Sequence, residues 1–151
     1  MTGAFPGRPV QPGGVTPPGP PPLPSWVLHD HRVPRPHRDL RLEHDGVLVS
    51  WAVPRGLPTD PAANRLAVHV PDHDLDHLAY ADEQKSVEDT GVYVTHEWAA
   101  RKIVVTLCGR SGVATYALVA TRAQDWLLHR LADSDVRHRA AALLLAELSG
   151  A

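Results

Sequence analysis

The sequence predicts a mainly β fold, a compact β-barrel with helices after it, and three observations predict it. Residues 38–43 alternate, with Leu40 and Leu42 on one side and charged residues on the other, as in a half-buried strand. The Asp45–Gly46 pair follows, and an Asp-Gly pair between alternating runs indicates a tight hairpin. About six or seven short runs of this kind, joined by turn-rich links, favour a barrel or sandwich over a parallel α/β sheet.

The predicted strands follow one another at short intervals. They cover residues 26–28, 38–43, 47–53, 65–70, 92–98, 102–107 and 114–120. Proline, aspartate and glycine mark residues 54–64 as a loop, and the acidic, irregular stretch at 71–90 is expected to be a second long connection. Residues 109–112 have the composition of a turn between the last two strands.

The end of the chain is predicted to be helical. Residues 124–131 carry large apolar side chains at helical spacing, and residues 135–148 form a second helix with Ser134 or Asp135 as its N-cap. We expect both helices to cover an open end of the sheet, with an oligomer contact as the alternative. The apolar positions are Trp126, Leu127, Leu128 and Leu131 in the first helix, and Val136, Ala140, Leu143, Leu144 and Leu148 in the second.

These elements divide the 151 residues into an arm at 1–25, a barrel at 26–121 and helices at 122–151. The arm is rich in proline and glycine and holds nine of the 15 prolines. Such a segment cannot bury enough apolar surface to fold, so we expect a disordered or polyproline arm. A ligand for an SH3-type domain is the alternative.

The composition excludes several classes of protein. A single Cys excludes a disulfide framework and a cysteine-based zinc site, and it fits a reducing compartment such as the cytoplasm. No run approaches the roughly 18 apolar residues of a membrane span, so we expect no membrane partner. A formal net charge of −2 argues against a protein that coats nucleic acid by bulk charge, but it leaves room for a local arginine cluster.

Eight of the ten histidines fall between residues 29 and 96, and the earliest of them form a candidate metal site. If a strand begins at His37, then His37, Asp39 and Arg41 project from one of its faces. A proline-restricted loop before this strand can bring His31 beside them. Two imidazoles and a carboxylate are a common divalent-metal set that leaves coordination positions open. Arg41 cannot bind a metal, but it could neutralise a phosphate that does.

A second set of polar residues surrounds the predicted strand at 65–70. Arg65 starts this strand, and His73 and His77 follow it on the acidic connection. A histidine that titrates near neutral pH can donate to a phosphate or protonate a leaving alkoxide. Together the two sets predict a site for phosphate chemistry.

Residue types alone leave a second enzyme class open. The pattern His37-x-Asp39 with a distant third histidine also occurs in the iron triad of 2-oxoglutarate oxygenases, and Arg110 could be the distant arginine of such a site. The early His31 and the closely placed Arg41 fit phosphate chemistry better.

Two stretches of the chain resemble the 3′-phosphoesterase domain of bacterial DNA ligase D. The first contains HDH at residues 29–31 and HRDLRLEHDGVLVSWAVPRG at 37–56, and the second reads DPAANRLAVHVPDH at 60–73. The family typically reads LHYDFRLExDGVLxSWAVPKG in the first stretch and RLAVHVEDHP in the second. The resemblance extends loosely to about Leu131.

The resemblance implies a compact β-barrel and a divalent metal, manganese before zinc or cobalt. It also implies healing of 3′ ends on DNA or RNA–DNA strands, in which a terminal ribonucleoside and then the remaining 3′-phosphate are removed. Ligase or polymerase repair proteins would be partners in trans. Carried onto this sequence, the family's site makes His31, His37 and Asp39 the metal ligands, Arg41 and Arg65 the clamps on the scissile phosphate, and His73 its contact or proton donor.

Three departures from the family pattern bear on this hypothesis. His77 stands where the family has a tyrosine, and it keeps a possible hydrogen bond to phosphate. His29 replaces a glutamine and is either an extra ligand or a passive neighbour. Lys85–Gly91 replaces a glycine-rich loop and contains one glycine. The alternative to an active enzyme is therefore a catalytically weak or inactive module that binds nucleic acid ends or a repair partner.

Overall fold

Eight antiparallel strands close into a barrel in the computed structural model, which describes residues 22–149. Around the barrel the strands follow the order β1-β2-β3-β4-β8-β7-β6-β5. A 3₁₀ helix lies between β4 and β5, at Leu75–Ala79, and the one α-helix among the described residues, α1, covers Val136–Leu148. The strands are β1 Ser25–His31, β2 His37–His44, β3 Val47–Val53, β4 Asn64–His73, β5 Lys85–Ala99, β6 Lys102–Gly109, β7 Gly112–Arg122 and β8 Asp125–Arg130.

The barrel consists of two four-stranded meanders. Strands β1–β4 form the first meander and β5–β8 the second, and within each meander neighbours in the sequence are neighbours in the sheet. Two long-range pairings close the ring, β1 with β5 and β4 with β8. The predicted β-barrel is therefore confirmed. The described residues form eight strands, where six or seven were predicted.

The core lies inside the barrel and is built by alternation along the strands. Leu40 and Leu42 of β2 are 1% and 0% exposed, and they pack with Trp51 of β3 and Leu128 of β8. The Asp45–Gly46 turn has positive φ angles of 51° and 84°, as a tight hairpin between twisted strands requires. The alternation and the hairpin predicted for this part of the chain are both confirmed.

The prediction of a helix over residues 124–131 is wrong, because this segment forms β8. Trp126 and Leu128 are buried and Leu127 between them is 38% exposed, which is the period of a strand. Four apolar residues in so short a run fit both periods, and pairing with β4 and β7 decides for the strand. The barrel accordingly ends at Arg130, and the predicted boundary at residue 121 falls within it.

The connection expected at residues 71–90 is shorter than predicted. Strand β4 continues to His73, and β5 already begins at Lys85 because its first half pairs with β1 from His31↔Lys85 to Ser25↔Val92. The acidic composition of this segment concealed the strand. Residues 1–21 of the predicted arm lie outside the described residues.

Helix α1 begins as predicted but packs on a different face. The carboxylate of Asp135 accepts a hydrogen bond from the backbone N–H of Arg137 at 2.9 Å and caps the helix. The buried residues are His138, Ala141 and Leu145, whereas Val136 and Leu143 of the predicted stripe are 76% and 70% exposed. Within residues 22–149, no helix combines the length and the apolar character needed to cross a membrane.

Candidate functional site

The candidate site lies on the outer face of β1 and β2. Since antiparallel partners point to the same side of a sheet, the pair His31↔His37 brings two imidazoles together, with ring centroids 4.7 Å apart. On β2, Asp39 and Arg41 follow on the same face as His37, opposite the core leucines. The loop of residues 32–36 returns the chain, as predicted, so that the two histidines meet.

Asp39 is the centre of this group. Its Oδ2 lies 3.0 Å from Nδ1 of His31, and its Oδ1 lies 3.2 Å from Nε2 of His37. One ligand atom from each of the three residues lies within 4.8 Å of the others. We call His31, His37 and Asp39 the ligand triad.

The hydrogen bonds of the triad fit a bound cation. Nδ1 of His37 lies 2.7 Å from the carbonyl oxygen of Arg35, which can only accept, so the ring proton sits on Nδ1. In the neutral form of this ring, Nε2 of His37 carries a lone pair and faces the carboxylate of Asp39. A divalent metal would be held by both of these acceptors, and a second ring nitrogen bonded to a backbone carbonyl is typical of metal-binding histidines.

Arg41 connects the triad to the rest of the site. It is 1% exposed, and its Nη2 donates to Oδ2 of Asp39 at 3.2 Å while Nη1 lies 3.0 Å from Nδ1 of His73. Its Nε donates to Nδ1 of His29 at 3.4 Å, and Nε2 of His29 lies 3.0 Å from the carbonyl oxygen of Tyr80. Burial lowers the pKa of His29 to about 4, so this imidazole is neutral and orients Arg41. His29 lies beside the triad and is not among the residues whose ligand atoms lie within 4.8 Å of one another.

A second group of side chains continues from Arg41. His73 at the end of β4 and His77 on the 3₁₀ helix have ring centroids 4.7 Å apart, and Nζ of Lys85 lies 3.1 Å from Nε2 of His77. Burial, then the charges of Lys85 and Arg41, lower the pKa of His77 to about 4. Burial and Arg41 also lower the pKa of His73 and of Lys85.

The charges of this second group are unbalanced in favour of cations. Arg41 and Lys85 are 1% and 9% exposed, and the buried carboxylate beside them is that of Asp39. Two neutral histidines lie next to these cations. Burying cations without full compensation is costly, and such a pocket is suited to an anion such as a phosphate. We call Arg41, His73, His77 and Lys85 the anion pocket.

The sequence of the barrel matches a known family over most of the strands that carry this site. The family model for the DNA Ligase D 3′-phosphoesterase domain matches residues 29–120. The chain belongs to this family. The match includes the ligand triad and the anion pocket, and it ends before β8 and α1.

Within the aligned segments, curated relatives are more than a third identical to this chain. The multifunctional non-homologous end joining protein LigD of Mycolicibacterium smegmatis is 39% identical over 129 residues, which covers 72% of this chain and 17% of that protein. The LigD of Mycobacterium tuberculosis strain H37Rv is 38% identical over 120 residues, 71% of this chain and 16% of its own length. That of Pseudomonas aeruginosa is 52% identical over 62 residues, 41% of this chain and 7% of the relative. The chain therefore spans less than a fifth of the length of these relatives.

Arg65, predicted to bind the phosphate together with Arg41, lies on the opposite face of the sheet from Arg41. Val70 of β4 pairs with Ser50, which pairs with Arg41, so Val70 shares the outer face with the site. Arg65 lies five residues from Val70, on the opposite face, and pairs with the fully buried Leu128. Its buried Nε has no hydrogen-bond partner among the described residues. The barrel thus turns Arg65 inward, and we leave it out of the anion pocket.

Lys85 is a site residue that the sequence patterns did not predict. This lysine is one of only two in the chain and lies within an acidic segment, which was a signal that could have been noticed. Its place in the site depends on the pairing of β1 with β5. Arg110, which the oxygenase alternative needs near the metal, lies in the β6–β7 turn and lines a cavity to which no triad residue contributes.

Proposed function

We propose that this protein is a metal-dependent phosphoesterase that heals nucleic acid 3′ ends in DNA repair, removing a terminal ribonucleoside and the 3′-phosphate. Membership of the DNA ligase D 3′-phosphoesterase domain family supports the reaction class. The relatives named above are proteins of non-homologous end joining, which supports DNA or RNA–DNA ends as substrates and repair ligases or polymerases as partners in trans.

The ligand triad would hold the metal. Its donors, two imidazole nitrogens and one carboxylate, suit manganese, zinc or cobalt, and we propose manganese on the strength of the family resemblance. When bound, the metal would act as a Lewis acid that offsets negative charge on the phosphoryl oxygens. The remaining work falls to the side chains of the anion pocket.

Arg41 and Lys85 bind and orient the phosphate in this proposal. Arg41 is fixed by hydrogen bonds to Asp39 and His29, so its guanidinium is already oriented before substrate arrives. Donors that are fixed in advance stabilise developing charge without the cost of reorganisation. Lys85 supplies the second positive charge from β5, next to His77.

His73 is the proposed proton donor. Nδ1 of His73 lies 3.0 Å from Nη1 of Arg41 and 3.2 Å from the carbonyl oxygen of Pro71. Burial, then the charges of Arg41 and Lys85, lower the pKa of this ring in the free protein, and the negative charge of a bound phosphate favours its protonated form. Protonated His73 can then give a proton to the leaving oxygen. His77, which accepts from Lys85, holds that lysine in place.

The observation that carries the proposal is the position of Arg41 between the triad and His73. The test uses end-labelled oligonucleotides that terminate in a 3′-phosphate or a single 3′-ribonucleotide, incubated with and without Mn²⁺, Zn²⁺ or Co²⁺. We expect metal-dependent trimming and phosphate release. Asp39→Asn should lower the rate more than about 100-fold, because loss of a ligand exceeds the usual effect of losing a supporting residue.

Asp45→Asn is the matched control. Asp45 is exposed, lies on the β2–β3 turn at a positive φ, and accepts asparagine without strain. This variant should keep the wild-type rate. Metal-dependent binding of the oligonucleotides without product would favour the inactive binding module. Equal rates for wild type and Asp39→Asn would refute the triad as the catalytic centre.

A further inference from the structure

A separate cavity of about 500 Å³ opens at the end of the barrel where β1 ends and β2 begins. Apolar core side chains form its inner wall, among them Trp26, Leu28, Leu107 and Tyr116. Four arginines line its rim: Arg38, Arg55, Arg110 and Arg130. We call this space the mouth cavity.

The two acidic residues at the rim are already paired. Oε1 of Glu88 accepts from Nε of Arg38 at 2.7 Å. Asp89 accepts hydrogen bonds from the backbone N–H of Arg110 and from the hydroxyl of Ser111, both at 2.6 Å. Burial alone would raise the pKa of Asp89, but these hydrogen bonds outweigh it and lower the pKa. Both carboxylates are therefore occupied by groups of the protein.

The arginines keep an excess of positive charge. Arg130 lies 3.9 Å from Asp133, at the limit of an ion pair. Within residues 22–149, the guanidinium groups of Arg55 and Arg110 have no carboxylate within 4.0 Å, and both residues are exposed. Four cations face two occupied carboxylates, so the rim attracts anions.

Strand β2 joins the mouth cavity to the ligand triad. Arg38 contributes to the cavity, whereas His37 and Asp39 on either side of it belong to the triad on the outer face. Successive Cα atoms of a strand are about 3.8 Å apart, so one strand end separates the two sites. A ligand that reaches the triad at its end can therefore continue over the rim into the cavity.

We propose that the mouth cavity binds the single-stranded nucleic acid segment that leads to the 3′ end. This inference rests on the proposed function, since the end itself lies at the triad. Backbone phosphates bind Arg55 and Arg110, and the adjoining nucleotide occupies the cavity. A positively charged groove that follows the backbone is a feature of proteins that bind single strands, and the volume is that of a small-molecule site.

The first test is a binding titration with a fluorescein-labelled 12-nucleotide single strand that ends in a 3′-hydroxyl. We expect the double variant Arg55→Ala/Arg110→Ala to weaken the affinity about 10-fold. The slope of log K against log salt should fall by about 0.7 for each arginine lost. Arg101→Ala/Arg122→Ala, which removes two exposed arginines at the opposite end of the barrel, should bind within twofold of wild type.

The second test compares two 3′-phosphorylated substrates, the 12-nucleotide strand and a nucleoside 3′-monophosphate, which has no second phosphate for the rim to bind. The mouth variant should raise KM for the long substrate about 10-fold and leave that for the nucleoside 3′-monophosphate unchanged. If no protein releases phosphate, the proposed function fails, while the binding titration still tests the cavity. Equal affinity and salt slope for wild type and the mouth variant, or a wild type that does not bind the strand, would overturn the inference.

Discussion

Two groups of histidines lie on the outer face of this barrel, and they differ in how far their polar atoms are paired. Under α1, Nε2 of His96 meets Thr106 at 2.7 Å, Thr106 meets Thr115 at 2.6 Å, and Thr115 meets Nδ1 of His138 at 2.8 Å. We call these four residues the docking network. Both threonines are 0% exposed, and each is bonded on both sides.

The polar groups of the ligand triad and the anion pocket are not fully paired with one another in this way. Ligand atoms of the triad converge within 4.8 Å of one another, and the cations Arg41 and Lys85 are buried beside the buried carboxylate of Asp39. Histidine content therefore does not identify the site, because both groups are rich in histidine. A binding site differs in the lone pairs and charges that the protein leaves for a ligand to satisfy.

Replacement of Lys85 by Met should change function and stability in opposite directions. The variant keeps the length of the side chain and removes a buried cation that repels Arg41. We expect KM for a 3′-phosphorylated strand to rise about 10- to 100-fold, since one charged contact to phosphate is lost. The free energy of unfolding should increase by about 1 kcal/mol. Steady-state kinetics and urea unfolding measure the two effects. A loss of stability would mean that Lys85 is a structural residue.

Replacement of Thr115 by Val should lower stability and leave activity unchanged. It leaves Thr106 and His138 each short of a hydrogen bond, which should cost about 1–3 kcal/mol of unfolding free energy. Activity per folded molecule should stay at the wild-type level. Thr121→Val, on the exposed end of the same strand, is the control and should change stability by less than about 0.5 kcal/mol. A large loss of activity in Thr115→Val would show that the two groups are coupled.

Acidification should destabilise the metal-free protein through the site. The pKa values of His29 and His77 are lowered from 6.5 to about 4, so between these values the folded state binds fewer protons than the unfolded state. Stability therefore falls as the pH falls below about 6.5. Between pH 7.5 and 6.0 we expect a loss of about 1 kcal/mol in urea unfolding, reduced by solvent screening at His77.

The variant His29→Gln/His77→Gln should flatten this pH dependence, because neither glutamine titrates. Glutamine also offers Arg41 an acceptor and Tyr80 a donor at position 29, so the fold is retained. His129→Gln, at a histidine outside both groups, should leave the pH dependence unchanged. An unaltered slope in the double variant would place the titrating groups elsewhere.

Local patterns in the sequence predicted the parts of the fold that depend on neighbouring residues. The alternation of β2 and the Asp45–Gly46 turn are confirmed, and so is the capping role of Asp135. The strand that forms from residues 125–130 was mistaken for a helix because its period is set by partners on β4 and β7. The buried face of α1 was missed because His138 docks by a hydrogen bond, which a hydrophobic pattern cannot represent.

In the candidate site too, local contacts could be predicted from the sequence and long-range contacts could not. The two histidines and the aspartate of the triad come from adjacent strands joined by a short loop, and the structure brings them together as expected. Lys85 reaches the site across the β1–β5 pairing, more than 50 residues from β1. The inward direction of Arg65 depends on the register of β4 against β8. A local sequence pattern does not determine which residues pair between strands that are distant in the sequence.

Alternate residues of strand β2 belong to the core and to the candidate site on the outer face. This alternation limits the insertions and deletions that the chain can tolerate. One residue added or removed between His37 and Glu43 would send leucines to the outer face and the ligand residues into the core. Length changes there should be lethal to folding. The exposed turn at Arg110 and Ser111 lies at the end of a local hairpin and can vary in length. The rim of the mouth cavity can therefore change in length while the ligand triad keeps its register.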